Sequence, residues 1–284
     1  MNPLQNKERR TSKAPTNRLA GAVLVGLVLA GGCGRSGGDA EPGSAGEPPR
    51  PGMTSEETLA DSIIRAWTSA AGGLEAWNAV RSARYTVNTV LYDSAGSVRW
   101  MRPRRVELRR TPRGEEARIE RPEAEGLYVQ VFTGDTAWAT LNGYPLPADH
   151  PAAAEAEYVG RDVYYWFGLP YKLWDPGVNR RARRTEDGYE VAVSFGSEIG
   201  AHPGDRYFYY FNDADAFPEE VHYIEQGKEK RSRTVWADFG SAPPVTYVGT
   251  RTWYVDGRPT KELRIDDVWI NPDLADSLFV APER

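Results

Sequence analysis

The chain has 284 residues, a formal charge of −5 at pH 7, 40% hydrophobic residues and 26% charged ones. That balance belongs to an ordinary globular chain and excludes a disordered polymer or a polytopic membrane protein. The length allows one large β domain or two small ones, and nine Trp with fifteen Tyr are a heavy aromatic load that favours strands and cavities.

Residues 1–32 read as a signal peptide. Lys7, Arg9, Arg10, Lys13 and Arg18 form a basic region ahead of an apolar run over 19–30. At 12 residues the run suits a signal core and is too short to span a bilayer as a helix. Ala30-Gly31-Gly32 then precede Cys33, the single cysteine of the chain. The arrangement resembles a bacterial lipobox, whose cysteine is lipidated on its thiol and becomes the new N-terminus. Ala30 stands where such sequences usually carry Leu, with Leu29 one place further back. An ordinary secretory signal is the alternative, but a lone cysteine in an exported chain has no internal disulfide to make. Arg9-Arg10 lacks the following apolar residues of a twin-arginine signal. Gly34, rather than Asp, follows the cysteine, which by analogy with lipoprotein sorting implies the outer membrane of a diderm cell, facing the periplasm. The expected partner is therefore the membrane, through acyl chains on Cys33.

Removing the segment, which carries a net charge of +4, leaves a mature chain of −9. So acidic a domain argues against nucleic acid, and against anionic lipid headgroups, as partners. Residues 33–53 are mostly Gly, Pro, Ser and Glu and read as a flexible tether, spanning on the order of 25 Å. Residues 54–284 then form a single domain, with no internal repeat and no second linker.

Thr54-x-x-Glu57 has the form of a capping box, and Leu59, Ile63, Trp67 and Ala70 follow at helical spacing. Gly72-Gly73 ends that helix, and residues 74–80 make a second short one. The period then changes to two. Strands are expected over 85–92, over 98–101 with a continuation at 106–108 beyond Pro103, and over 116–120. Two more, 127–133 and 136–141, flank the turn at Gly134-Asp135. Pro151 opens a helix that runs to Phe167. Strands resume over 179–185, 189–195, 206–212, 219–226, 230–239, 246–254 and 260–271. Hairpin signals at this density, with helices only at the start and middle, predict one antiparallel sheet curled toward a barrel.

The densest apolar stretch, residues 164–177, reads YYWFGLPYKLWDPG and sits between the two halves of that sheet. Two readings stay open. It is a core plug, or the wall or lid of an apolar ligand pocket, with Gly168-Leu169-Pro170 as a hinge. In the second reading Trp166, Phe167, Leu169, Tyr171 and Trp174 face the ligand. The aromatic run over 207–211 must also turn one alternating set inward, with Tyr207, Tyr209 and Phe211 the candidates.

The end of the chain adds a resemblance. Asp256-Gly257, a strand closing in Asn271-Pro272, and Asp276-Ser-Leu-Phe279 are similar to the closing hairpin of LolA/LolB-like lipoprotein-carrier proteins. Gly72-Gly73-Leu-Glu-Ala-Trp77, Trp166-Phe-Gly168-Leu-Pro170 and Pro203-Gly204-Asp205-Arg206-Tyr207 resemble an uncharacterised bacterial lipoprotein family of that superfamily. Over residues 58–282 the resemblance implies a mainly β fold with some α: an unclosed antiparallel barrel of roughly eleven strands wrapped around helices, with an apolar cavity. It also implies a lipid or lipoprotein acyl chain as ligand. No ligand-contacting residue of the carriers maps onto this chain.

Catalytic chemistry is scarce. There is no G-x-S-x-G elbow, no phosphate-binding glycine loop, and no cofactor or metal set. His222 and Glu225 lie three apart on a strand, on opposite faces. His202 with Asp205 is the best acid–base pair, against the plainer reading of a polar turn. The run Arg180-Arg181-Ala-Arg183-Arg184 reads as a solvated face or as partners for acidic residues of the same domain. Three readings therefore stand: a tethered lipid-binding module, a non-catalytic envelope scaffold with a self-filled core, and a hydrolase using His202 and Asp205.

Overall fold

The computed structural model describes residues 52–197 and 204–283, so the signal peptide, Cys33, most of the tether and His202 lie outside the described residues. The first helix, α1 (Ser55–Ala70), opens on the expected capping box. Thr54 Oγ1 accepts from the Glu57 amide at 3.2 Å, and the Glu57 carboxylate accepts from the Thr54 amide at 2.8 Å. Its buried stripe is Ala60, Ile64, Trp67 and Thr68, whereas Leu59 and Ile63 flank it and Ala70 is exposed. The face is thus turned slightly from the expected one. Trp67 decides this, because its ring sits among Tyr209, Phe211 and Trp236 at centroid distances of 5.6, 5.8 and 6.1 Å. Gly72 ends the helix at φ 117°, and a Cβ there would lie 2.3 Å from the Pro244 carbonyl oxygen. The short helix α2 (Gly73–Asn78) follows.

Six strands form the first half: β1 (Ser82–Tyr92), β2 (Val98–Thr111), β3 (Gly114–Glu123), β4 (Gly126–Phe132), β5 (Ala137–Leu141) and β6 (Tyr144–Pro145). Helices α3 (Pro151–Ala154) and α4 (Ala156–Phe167) and a 3₁₀ turn, Tyr171–Trp174, come next. The second half is β7 (Val178–Arg184), β8 (Gly188–Phe195), β9 (Arg206–Asn212), β10 (Glu220–Ile224), β11 (Ser232–Ala242), β12 (Val245–Val255) and β13 (Arg258–Ile270). A second 3₁₀ turn, Asp276–Phe279, closes the chain.

All of these strands lie in one 13-stranded antiparallel sheet, ordered β6-β5-β4-β3-β2-β1-β13-β12-β11-β10-β9-β8-β7. Strands next to each other in sequence pair, except that β6 and β7 do not and β1 is joined to β13. The sheet curls but does not close. Its free edges, β6 and β7, come from the middle of the chain, and the α3–α4 segment passes between them along the concave side. This is the unclosed half-barrel expected from the sequence, with more strands than the expected eleven or so. The two-residue strand β6, which folds back on β5, carries too little pattern to be read beforehand.

Two local departures have clear causes. β2 runs unbroken through Pro103, which lies opposite Asn88 of β1. The pairing of β3 with β2 starts only at Arg105, so Pro103 sits where β2 has a partner on one side and its missing amide costs no ladder bond. The helix expected from Pro151 to Phe167 is divided at Glu155. The division lets α3 rest on β5 while α4 lies across β3 and β4. Gly160 permits the second contact, since a Cβ there would meet Phe132 Cβ at 2.5 Å.

Trp67 anchors α1 at the centre of the core. Its replacement by alanine should cost about 3–5 kcal/mol. Thermal unfolding of residues 52–284 should remain one cooperative step in both forms. Two separable transitions in the wild type would contradict a single folding unit.

Candidate ligand cleft

The concave face is covered by aromatic side chains from α4 and from the strands opposite. Phe167 stacks on Tyr85 at 4.7 Å, and Trp166 meets Tyr207 and Trp236 edge-on at 5.8 and 6.0 Å. Tyr165 and Tyr209 share a buried hydrogen bond at 3.4 Å. Between α4 and the strands β1, β2, β12 and β13 this packing leaves a narrow cleft, walled by Tyr85, Val87, Val163, Trp166, Phe167, Trp253, Leu263 and Ile265. A side pocket continues from it past Trp166 and Trp253 to Tyr207, Tyr223 and Trp236. The cleft's free volume is about 20 Å³. That holds about one water molecule and no acyl chain as it stands.

The residues singled out in the sequence divide between the cleft and its support. Trp166 and Phe167 line the cleft and Tyr207 lines its extension. Leu169, Tyr171, Tyr209 and Phe211 are buried in the core behind it. Tyr171 stacks on Trp77 at 4.8 Å and donates its hydroxyl to the Ala71 carbonyl. Trp174 lies further out, its indole donating to Thr68 Oγ1 at 2.8 Å beneath the guanidinium of Arg180. Gly168 has an ordinary helical φ of −79°. Its lack of a side chain serves close packing, because a Cβ would lie 2.7 Å from Lys172 Cγ and 3.1 Å from Trp77.

Four charged residues also face the cleft, and the sequence reading missed them: Arg104 on β2, Asp162 on α4, Arg251 on β12 and Lys261 on β13. Each basic residue occupies an inward position of a strand, Arg104 in phase with Val106 and Leu108, and Lys261 in phase with Leu263 and Ile265. A cation in the core phase of an alternating strand was the available signal. Arg251 lies over the Trp166 ring at 4.7 Å, and Lys261 over Trp253 at 4.5 Å. Asp162 accepts from the Trp166 indole at 2.8 Å. Burial pushes Asp162 from its ordinary 3.8 up to about 6, although Arg251 and Arg104 pull the other way. Burial likewise lowers Arg251 to about 10 and Lys261 to about 8, and brings Arg104 below its usual value.

The other candidates for chemistry have structural partners. Asp205 accepts from the Gln226 amide, His150 Nδ1 accepts from the Ala152 amide at the start of α3, and His222 pairs with Glu220 at 2.9 Å. Arg180 pairs with Asp61 at 3.0 Å, Arg183 with Glu190 at 2.8 Å and Arg184 with Asp213 at 2.5 Å. Three of the four arginines of the basic run are thus matched to acidic residues of the same domain. Among the described residues no group of three or more His, Cys, Asp or Glu is placed to hold a metal ion.

No family model matches the chain, and no curated protein matches it in sequence. Solved structures match its fold. A DUF1329 family protein from Desulfovibrio piger superposes with a TM-score of 0.53 at 8% identity, covering 80% of this chain and 98% of that one. A LolA superfamily protein from Nitrosomonas europaea gives 0.52 at 10% identity, over 78% and 97% of the two chains. The fold is LolA-like. At such low identity the likeness concerns backbone architecture alone.

Asp162 gives this LolA-like interior a pH signature. Its carboxyl holds a proton more tightly in the folded state than in the unfolded chain. Its contribution is therefore complete below about pH 4 and is lost as the pH rises through about 6. Asp162→Asn keeps an acceptor for Trp166 and removes that loss. The variant should be more stable than wild type at pH 7 by on the order of 2–3 kcal/mol, and nearly equal to it at pH 4. Chemical denaturation at the two pH values measures this, and a pH-independent difference would refute it.

Proposed function

We propose that this protein is a lipoprotein anchored to the bacterial cell envelope through acyl chains on Cys33, and that its half-barrel binds a lipid or another apolar chain in the cleft between α4 and the sheet. The observation that carries the reading is the cleft itself. The LolA-like sheet holds the aromatic-rich helix α4 in its concavity, and the seam between them stays lined by Trp166, Phe167, Leu263 and Ile265 with a narrow gap. A ligand would enter by parting Trp166 from Trp253, with Tyr207 at the inner end. Leu169, Tyr171, Trp174, Tyr209 and Phe211 would act as the packing that holds those walls. The lipobox-like segment supports the anchor, and Gly34 supports an outer-membrane position facing the periplasm. The reading is of a binding protein rather than an enzyme; Asp205 accepts from the Gln226 backbone amide, as the plainer reading of a polar turn expects.

One observation favours a second reading. At about 20 Å³ the cleft is filled by its own aromatics, as a scaffold with a solid core requires. Phe167→Ala separates the two. In a solid core it should cost about 3–5 kcal/mol and open no site. In a ligand wall it should cost clearly less and weaken binding of a fluorescent fatty acid. Wild-type protein that binds no such probe, joined to the full stability loss, decides for the scaffold.

The anchor has its own test. Cys33→Ser should abolish incorporation of labelled palmitate, and the protein should leave the membrane fraction or retain its signal peptide, since each buried methylene contributes about 0.8 kcal/mol to anchoring. Membrane fractionation without any acyl label in the wild type would refute lipidation.

A further inference from the structure

We infer that Arg104, Arg251 and Lys261 form an anion site inside the cleft, and that it takes an oxyanion, the carboxylate or phosphate of an amphiphile whose chain lies along Trp166 and Phe167. The inference rests on the ligand-binding reading above and specifies its polar end. Three cations converge on the cleft and one carboxylate, Asp162, faces them. None of the three is in an ion pair within 4.0 Å among the described residues. Arg104 and Arg251 are only 9% and 6% exposed. The Arg104 Nε has no hydrogen-bond partner and is shut away from solvent, and so is the Tyr207 hydroxyl at the inner end of the cleft.

Elsewhere this chain pairs what it buries. Lys172 meets Glu115 at 2.9 Å and Asp175 at 2.7 Å, Glu107 meets Arg84 and Arg118, each at 2.9 Å, and Glu116 meets Arg109 at 2.6 Å. Leaving a charge buried without a partner is expensive, and two or more cations held together add repulsion. The faces of Trp166 and Trp253 hold Arg251 and Lys261 without neutralising them. A bound oxyanion would supply the missing charge and accept from the free Arg104 Nε.

The charge of the mature chain pointed the other way, against anionic headgroups. That charge belongs to the whole surface, whereas the cations of the cleft are turned inward, away from it. The two levels differ because alternating strand positions sort residues by face and net charge does not.

The test uses the purified full chain with three probes: oleate, its uncharged counterpart monoolein, and inorganic phosphate. Binding is followed by tryptophan fluorescence and by displacement of a fluorescent fatty acid. Oleate should bind tighter than monoolein. Arg251→Gln and Arg104→Gln should each weaken oleate about tenfold or more and weaken monoolein clearly less. Asp162→Asn, which removes the competing carboxylate, should tighten oleate. Variants with opposite effects on one ligand cannot both be reporting a damaged fold, and their melting temperatures serve as the check. If oleate and monoolein bind alike and no variant separates them, the anion site is refuted and the apolar cleft stands. If phosphate alone binds, and the Arg251→Gln substitution removes it, the anion site stands with a free anion as its source and the lipid reading fails. Failure of all three probes overturns both.

Discussion

The pairing of β1 with β13 is the constraint on which the rest of this structure depends. It joins residues nearly the whole domain apart in sequence, from Ala83 opposite Ile270 to Leu91 opposite Lys261, and so turns two local meanders into one sheet. Pairing at that separation carries a high loop-closure cost, and it must be secured by more than ladder bonds. Asn271 supplies the lock. Its side-chain oxygen accepts from the Arg81 and Ser82 amides at 2.6 and 3.2 Å, and its amide donates to the Ala79 carbonyl at 3.1 Å. Arg109 holds the end of the chain down, bonded to Asp276 at 2.6 Å and lying over Phe279 at 3.9 Å. The Asn-Pro and Asp-x-Leu-Phe motifs therefore have a physical meaning here: they fasten the seam.

Once the two ends are joined, the free edges must come from the middle of the chain. The segment that connects them has no course except along the concavity, and its composition suits that place. α4 presents Val159, Val163 and Phe167 to the sheet and is buried on most sides, as a helix inside a half-barrel must be. The aromatic rings of α4 and of β9 interlock because both line the same enclosed space. The same arrangement leaves the narrow cleft in the seam between α4 and strands β12 and β13.

The distribution of charge follows from the same geometry. On the outer face, Arg and Glu face each other between β2 and β3 and between β7 and β8, in pairs such as Arg118–Glu107 and Arg183–Glu190, where each charge finds an opposite one beside it. On the inner face, Arg104, Arg251 and Lys261 come from three strands and meet a single carboxylate carried by a helix. The inner group is thus assembled from residues remote in sequence, and its imbalance sets it apart from every outer pair.

Much of the architecture was legible in the chain itself. The capping box at Thr54, the hairpin turns at Gly134-Asp135 and Asp256-Gly257, and the change from a period near four to a period of two are local signals. Local signals survive because backbone propensity and turn chemistry act over a few residues. Those signals gave one antiparallel sheet curled toward a barrel, and the resemblance that includes the closing motifs implied that it stays unclosed around helices. They also placed the aromatic stretch between its halves. The continuity of β2 through Pro103 and the turn of the α1 face about Trp67 were not legible. Each depends on which neighbour is present at that height of the sheet. The cleft belongs to the same class. Sequence alone marked eight aromatic and aliphatic residues as candidates, but only tertiary structure decided that Trp166, Phe167 and Tyr207 line the gap, that Leu169, Tyr171, Tyr209 and Phe211 pack in the core behind it, and that Trp174 lies further out. It likewise brought Arg104, Asp162, Arg251 and Lys261 together. A pattern read along one strand says which face a side chain takes, and only the closed register of several strands says what it meets there.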